Sequence, residues 1–93
     1  MHLDDYQRVI ADTYLERDRA RGLSSSVAWL VEEVGELAQA IRKGSTADQL
    51  HEVGDVLAWL TSIANQLGVD MTKAASRYAR GCPRCGQRPC GCD

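Results

Sequence analysis

The fold of this chain is decided by residues 29–60, which read WLVEEVGELAQAIRKGSTADQLHEVGDVLAWL. In both halves of this stretch, apolar side chains recur every three or four residues, which is the spacing of one face of an α-helix. Gly44 and Ser45 separate the halves. Glycine commonly ends a helix, and the hydroxyl of Ser45 or Thr46 can cap the next one. The stretch therefore predicts two successive amphipathic helices with a short connection.

The same periodicity extends to most of the chain. It predicts helices over about 3–21, 26–43, 47–67 and 71–80, with Asp70 capping the last. No strand pattern persists, and short Gly/Ser connections between long helices favour an antiparallel bundle. We therefore predict an all-α fold of about four helices over residues 1–80, followed by a separate cysteine-rich tail over residues 81–93.

Two apolar stripes are expected to face the core. They comprise Leu30, Val34, Leu37 and Ile41 on the second helix, and Val53, Val56, Leu57, Leu60, Ala64 and Leu67 on the third. A chain of 93 residues buries only about two-thirds of its unfolded surface and so usually needs a metal, an oligomer or both. We expect a homodimer or homotetramer.

Composition excludes several classes of protein. The chain is 44% hydrophobic and 26% charged with a net charge of −2, which is typical of a soluble domain and argues against nucleic-acid binding. No apolar run is long enough to cross a membrane, and the first residues lack the pattern of a signal peptide. These features predict a cytoplasmic protein with no membrane partner.

The candidate chemistry lies in two acidic motifs. Glu32, Glu33 and Glu36 share one helix, and Glu52 and Asp55 share the next. Side chains three or four residues apart are neighbours on a helix, and like charges at that spacing repel. If the helices pack side by side, the carboxylates converge. Clustered oxygen ligands suit Mg²⁺ or Mn²⁺, which also bind substrate phosphates.

The alternative interpretation is a solvated acidic face. Two observations favour the metal: Trp29 and Trp59 each lie four residues from an acid, and Gly35 and Gly54 interrupt the two motifs. A glycine inside a helix costs about 1 kcal/mol relative to alanine, so we expect close backbone approach there, helix against helix. A di-iron bundle requires a Glu-x-x-His motif, which His51 does not complete, and we interpret His51 as a surface histidine that points elsewhere.

The ordered pair of motifs, Glu-Glu-x-x-Glu and then Glu-x-x-Asp after a gap of fifteen residues, resembles the MazG-type all-α nucleoside triphosphate pyrophosphohydrolases. The resemblance covers about residues 24–70. The superfamily also contains dimeric dUTPases, dCTPases and phosphoribosyl-ATP pyrophosphohydrolases. The resemblance implies hydrolysis of a nucleoside triphosphate between its α- and β-phosphates, giving a monophosphate and pyrophosphate, as in house-cleaning enzymes.

The resemblance also implies roles for individual residues. The Mg²⁺ (or Mn²⁺) ligands would be Glu33, Glu36, Glu52 and Asp55. Glu32 would hold a second ion or orient the attacking water. Lys43, Lys73 and Arg77 would bind phosphates, the alternative for each being an ordinary solvated cation. Trp29 would either stack on a base or pack in the protein, and for Trp59 packing is preferred.

The cysteine-rich tail points to a second metal. Cys82 and Cys85 form a Cys-Pro-x-Cys-Gly turn typical of zinc knuckles, and Cys90 and Cys92 follow within eleven residues of the first. Four thiolates close a tetrahedral Zn²⁺ site, which would be structural because no ligand position stays open. Disulfides are the alternative, and a zinc ion shared between two chains also stays open.

A non-enzymatic function is the main alternative. The tail would then dock a protein or nucleic acid, and the acidic motifs would be vestigial. A phosphoribosyl-ATP pyrophosphohydrolase is a further possibility within the enzyme class. All the expected carboxylates are present in the chain, which favours an enzyme.

Overall fold

The fold is built from four α-helices. The computed structural model describes all 93 residues, and it contains α1 (Leu3–Arg21), α2 (Leu23–Lys43), α3 (Thr46–Leu67) and α4 (Met71–Ser76) and no strand. The predicted all-α class is confirmed. None of these helices combines the length and the apolar character that crossing a bilayer requires.

The helix ends follow local capping chemistry. Ser45 and Asp48 form a capping box at the start of α3, since the Asp48 amide donates to the Ser45 hydroxyl at 3.2 Å and the Ser45 amide donates to the Asp48 carboxylate at 2.9 Å. Asp70 caps α4 by accepting from the Thr72 amide at 2.8 Å. Of the two candidate caps of α3, Ser45 is therefore the cap and Thr46 is the first helical residue, and the predicted cap at Asp70 is confirmed.

Two predicted boundaries differ from the structure. α2 begins at Leu23 rather than residue 26, because Gly22 alone, with φ of 99°, turns the chain out of α1. α4 ends at Ser76 rather than residue 80. Beyond it the amides of Tyr78 and Ala79 bond carbonyls three residues back, so the chain continues as tight turns and not as an α-helix.

The register between α2 and α3 places like residues opposite each other. The two helices form the most extensive contact in the fold, and their two-residue connection at Gly44 makes them antiparallel. Residues that lie equally far before and after Gly44 therefore meet across the pair. The facing pairs are Trp29 with Trp59, Glu33 with Asp55, and Glu36 with Glu52.

α1 packs on the α2–α3 pair, and α4 is attached to the pair through α1. Gln7 of α1 anchors the corner between α3 and α4, because its amide nitrogen donates to Asn65 at 3.0 Å and to the Val69 carbonyl at 2.8 Å. Its oxygen accepts from the Met71 amide at 2.8 Å.

The core within one chain is small and unusually polar. Its buried residues are Ile10, Asp18, Ser26, Ala40, Thr61, Ser62 and Ala64. Much of the two predicted apolar stripes faces outward instead: Ile41 is 64% exposed and Val53 is 52% exposed. Part of each stripe therefore stays uncovered within one chain, because α1 covers only part of the surface of the α2–α3 pair.

The glycines of the acidic motifs have no close neighbour within the chain. A Cβ atom built on Gly35 or Gly54 would meet no atom within 4 Å outside its own helix backbone. The predicted helix-to-helix approach at these positions is therefore wrong for a single chain. Both glycines are exposed and face open space.

Candidate metal and nucleotide site

Carboxylates from α2 and α3 converge at the middle of the helix pair. One oxygen each from Glu33, Glu36 and Glu52 lies within 4.8 Å of the others. Asp55 joins this cluster through Glu52, since these two residues and His51 form a second group at the same spacing. We call the four acidic residues the carboxylate cluster. Its geometry follows from the i, i+3 spacing on each helix and from the register at Gly44.

Burial and mutual repulsion disfavour ionisation within the cluster. Desolvation raises the pKa of Glu33 to about 7, aided by the charges of Glu36, Asp55 and Glu52. Desolvation, and then the charge of Glu36, also raises the pKa of Glu52. One oxygen of Glu33 and one of Glu52 are buried without any hydrogen-bond partner. Buried, unpartnered carboxylate oxygens that converge from several side chains are suited to hold a hard divalent cation.

His51 lies beside the cluster. Its Nε2 atom is 3.3 Å from Asp55 Oδ2 and 4.0 Å from Glu52 Oε1. Its side chain is 71% exposed, so it is a surface histidine as expected, but it does not point away from the acids. The i, i+4 spacing of His51 and Asp55 is the signal in the sequence that identifies this contact.

The two tryptophans stack on each other. The ring centroids of Trp29 and Trp59 are 5.8 Å apart with an interplanar angle of 10°. The pair spans α2 and α3, one helical turn from the cluster residues Glu33 and Asp55. Trp29 stays 42% exposed, so the stack leaves aromatic surface open beside the cluster.

The remaining predicted site residues divide into two groups. Glu32 is exposed on α2 outside the converging set, and Lys43 lines a cleft of about 310 Å³ together with Glu36 and Glu52. Lys73 and Arg77 lie on α4 and at its C-cap. α4 follows the end of α3, which is about 18 Å beyond Asp55 at a rise of 1.5 Å per residue. Lys43 therefore shares a cleft with cluster residues, whereas Lys73 and Arg77 lie beyond the far end of α3.

The four cysteines of the tail converge within one chain. All four Sγ atoms lie within 4.8 Å of one another, with Cys82 and Cys92 at 3.7 Å and Cys85 and Cys90 at 3.9 Å. None is in a disulfide. Gly86 adopts φ of 71° in the turn, as the knuckle motif predicts, and four Sγ atoms so arranged can hold a metal ion.

Replacing Glu33 by glutamine is expected to stabilise the metal-free protein in a pH-dependent way. The pKa of about 7 lies above the ordinary value of 4.5. The folded state therefore binds more protons than the unfolded state between these values, and stability falls as pH rises through that window. In the presence of a chelator, the free energy of unfolding in urea should be higher for E33Q than for wild type at about pH 8, and this difference should shrink toward about pH 5.

The matched control is E32Q, which removes a neighbouring exposed charge. A gain in E33Q that is independent of pH, or one equalled by E32Q, would contradict the assignment of a desolvated carboxylate at position 33. The free energies of unfolding of wild type, E33Q and E32Q are compared by urea titrations at several pH values, all at the same protein concentration.

Comparison with known proteins agrees with this geometry. The family model described as the MazG nucleotide pyrophosphohydrolase domain matches residues 21–84, which include the whole carboxylate cluster. The Gene 37 protein of Mycobacterium phage L5 is 32% identical over 105 aligned positions, covering 87% of this chain and 92% of the phage protein. The matched domain, the helical fold and the converging carboxylates together establish that the chain belongs to the MazG nucleotide pyrophosphohydrolase family.

Proposed function

We propose that this protein is a Mg²⁺-dependent pyrophosphohydrolase that cleaves nucleoside triphosphates between the α- and β-phosphates. The observation that supports this most directly is the pair of buried, unpartnered oxygens on Glu33 and Glu52 within a set of converging carboxylates. Carboxylates arranged in this way suit a divalent cation that also binds phosphates. Family membership supplies the reaction class.

The chain's own residues position the ion and the nucleotide. Mg²⁺ (or Mn²⁺) would be held by Glu33, Glu36, Glu52 and Asp55. When bound, the ion supplies charge neutralisation on the phosphates and activation of water. Glu32, exposed beside this set, would orient the attacking water or hold a second ion. Lys43, in the same cleft as Glu36, would bind phosphate oxygens.

The reaction is a hydrolysis. The oxygen of water forms a bond to one of the two phosphorus atoms, and the bridging P–O bond between the α- and β-phosphates breaks. The products are pyrophosphate and the nucleoside monophosphate, and the water releases a proton. The protein contributes position and electrostatics, because little covalent chemistry is needed from side chains.

Removing one cluster carboxylate is expected to abolish turnover. E36Q and D55N should each lower kcat/KM by more than about 100-fold, since even loss of a group that only supports a metal ligand costs about 10- to 100-fold. The measurement is product analysis with a panel of nucleoside triphosphates and Mg²⁺, which should yield monophosphate and pyrophosphate from wild type.

The control is E16Q, which neutralises an exposed glutamate of α1 and should keep wild-type activity. Including phosphoribosyl-ATP in the panel distinguishes a phosphoribosyl-ATP pyrophosphohydrolase of histidine biosynthesis from a nucleoside triphosphate pyrophosphohydrolase. No turnover of any nucleotide by folded, metal-supplied protein would refute the enzyme and favour a binding module that docks through the cysteine-rich tail.

We propose further that the active form is a homodimer or homotetramer. Exposed apolar residues form one stripe on α2 (Val31, Val34, Ala38 and Ile41) and another on α3 (Leu50, Val53, Leu57 and Leu60). The open glycines Gly35 and Gly54 lie within these stripes, where a second copy of the chain could approach closely. Burial of this surface supplies the core that one chain lacks. A second copy is also what would bring Lys73 or Arg77 to a cluster.

A charge in the α3 stripe is expected to dissociate the oligomer. V53D should lower the sedimentation coefficient to that of a single chain and reduce turnover, because an unpaired charge is not tolerated in an apolar interface. V9D is the matched control, since Val9 has the same 52% exposure but lies on α1. Wild type that sediments as a single chain, or V53D that stays associated, would contradict the proposal.

The tail is proposed to bind one structural Zn²⁺ within each chain. Zn–S bonds of about 2.3 Å in a tetrahedron give S···S edges of about 3.8 Å, which the distances of 3.7 and 3.9 Å match. Backbone amides of Gly91 and Cys92 donate to Cys85 Sγ and Cys90 Sγ, each at 3.3 Å. Amide hydrogen bonds from Cys85 and Arg84 lower the pKa of the Cys82 thiol, which favours its thiolate, whereas hydrogen bonds with the neighbouring thiols raise the pKa of Cys92.

Metal analysis of protein purified under reducing conditions is expected to give one zinc per chain. Replacement by Co²⁺ should produce the visible absorption of a tetrahedral thiolate site, and C85S should lose both signals. One zinc per two chains would show that the ion is shared. A decrease in mass that matches the formation of two disulfides would show that the cysteines are oxidised. Either result contradicts a zinc site within each chain.

A further inference from the structure

A second cavity opens next to the carboxylate cluster, between α1 and α3. It has a volume of about 210 Å³ and is lined from α1 by Arg17, Asp18 and Arg21, and from α3 by Asp55, Trp59 and Ser62. It shares Asp55 with the cluster and Trp59 with the tryptophan stack. Pockets for drug-sized ligands run to about 300–1,000 Å³, so this cavity suits one part of a nucleotide, with the phosphates at the cluster.

The side chain of Asp18 is the unusual feature of this cavity. Asp18 is only 3% exposed, yet its Oδ2 atom has no hydrogen-bond partner. No lysine, arginine or histidine forms an ion pair with it. A buried carboxylate without partners is unfavourable. A carboxylate that lines a cavity in this state is suited to a ligand that donates hydrogen bonds to it.

We propose that Asp18 recognises the base of the nucleotide and selects guanine. This inference rests on the proposed function, because it takes the substrate of that reaction as the ligand. Guanine carries two adjacent donors, N1–H and the 2-amino group, which match the two oxygens of one carboxylate. Adenine and cytosine place an acceptor beside their amino group, and uracil and thymine flank their single N–H with two carbonyls. Each of these edges sets at least one acceptor against the carboxylate.

The other lining residues complement the rest of a guanine. The guanidinium groups of Arg17 and Arg21 supply donors for its O6 and N7 acceptors, the pairing that arginine most often makes with guanine. The indole of Trp59 offers an aromatic surface for base stacking. The cavity therefore provides acceptors, donors and an aromatic wall, with Asp18 as the specificity-determining residue.

The first test measures turnover of GTP, ITP and XTP with Mg²⁺ by wild type and D18N. ITP lacks the 2-amino group, so wild type should prefer GTP over ITP by about 10- to 100-fold, the value of one hydrogen bond to a charged group. Asparagine presents one acceptor and one donor, which match the N1–H and 2-carbonyl of xanthine. D18N should therefore lose activity on GTP and gain activity on XTP.

This exchange of preference from GTP to XTP would not occur if Asp18 had only a structural role. D12N is the control, since it makes the same change at an exposed position of α1 and should leave all three substrates unaffected. 8-Oxoguanine has the same pair of donors. Including 8-oxo-GTP in the panel shows whether the cavity prefers ordinary or oxidised guanine.

A second measurement keeps this inference separate from the proposed function. Calorimetric binding of GMP, IMP and XMP to wild type and D18N requires no turnover. GMP preferred by wild type and XMP by D18N would support the assignment even if no triphosphate were hydrolysed. Equal binding of GMP, IMP and AMP by wild type, or an equal loss for every nucleotide in D18N, would overturn it whether or not the enzyme is active.

Discussion

Mutual repulsion among carboxylates is the constraint on which the rest of this structure depends. Glu33, Glu36, Glu52 and Asp55 are held together because the turn at Gly44 sets the register of two antiparallel helices. The resulting desolvation and repulsion raise the pKa of Glu33 to about 7. A cation bound among these carboxylates would relieve this cost. The cluster thus links helix geometry directly to phosphate chemistry.

A small core is the second constraint, and it accounts for the exposed apolar stripes. Three apolar residues, Ile10, Ala40 and Ala64, are buried, which is little for a domain of this size. Polar side chains occupy much of the remaining interior: Gln66, for example, donates to the buried Ser26 hydroxyl at 2.8 Å. Such hydrogen bonds orient the helices, while apolar burial between chains would supply most of the stability.

The chain separates two kinds of metal chemistry along its length. Hard oxygen ligands lie on the long helices α2 and α3, whereas soft sulfur ligands lie in the irregular tail after α4. Carboxylates suit Mg²⁺ and thiolates suit Zn²⁺, so the two sites would not compete for one ion. A tail with little apolar content of its own would gain order from an ion held by its four cysteines.

The sequence by itself determined the four helices, the caps at Ser45 and Asp70, the acidic motifs and the cysteine motif, because these depend on spacing along the chain. It did not determine which apolar residues are buried, since Val53 and Ile41 have core periodicity but face outward. Only the tertiary structure decided that His51 lies against Asp55, that Trp29 stacks on Trp59, and that Asp18 is buried without a partner beside the cluster. These contacts depend on how separate helices meet, and the pattern within one helix carries no information about its neighbour's position.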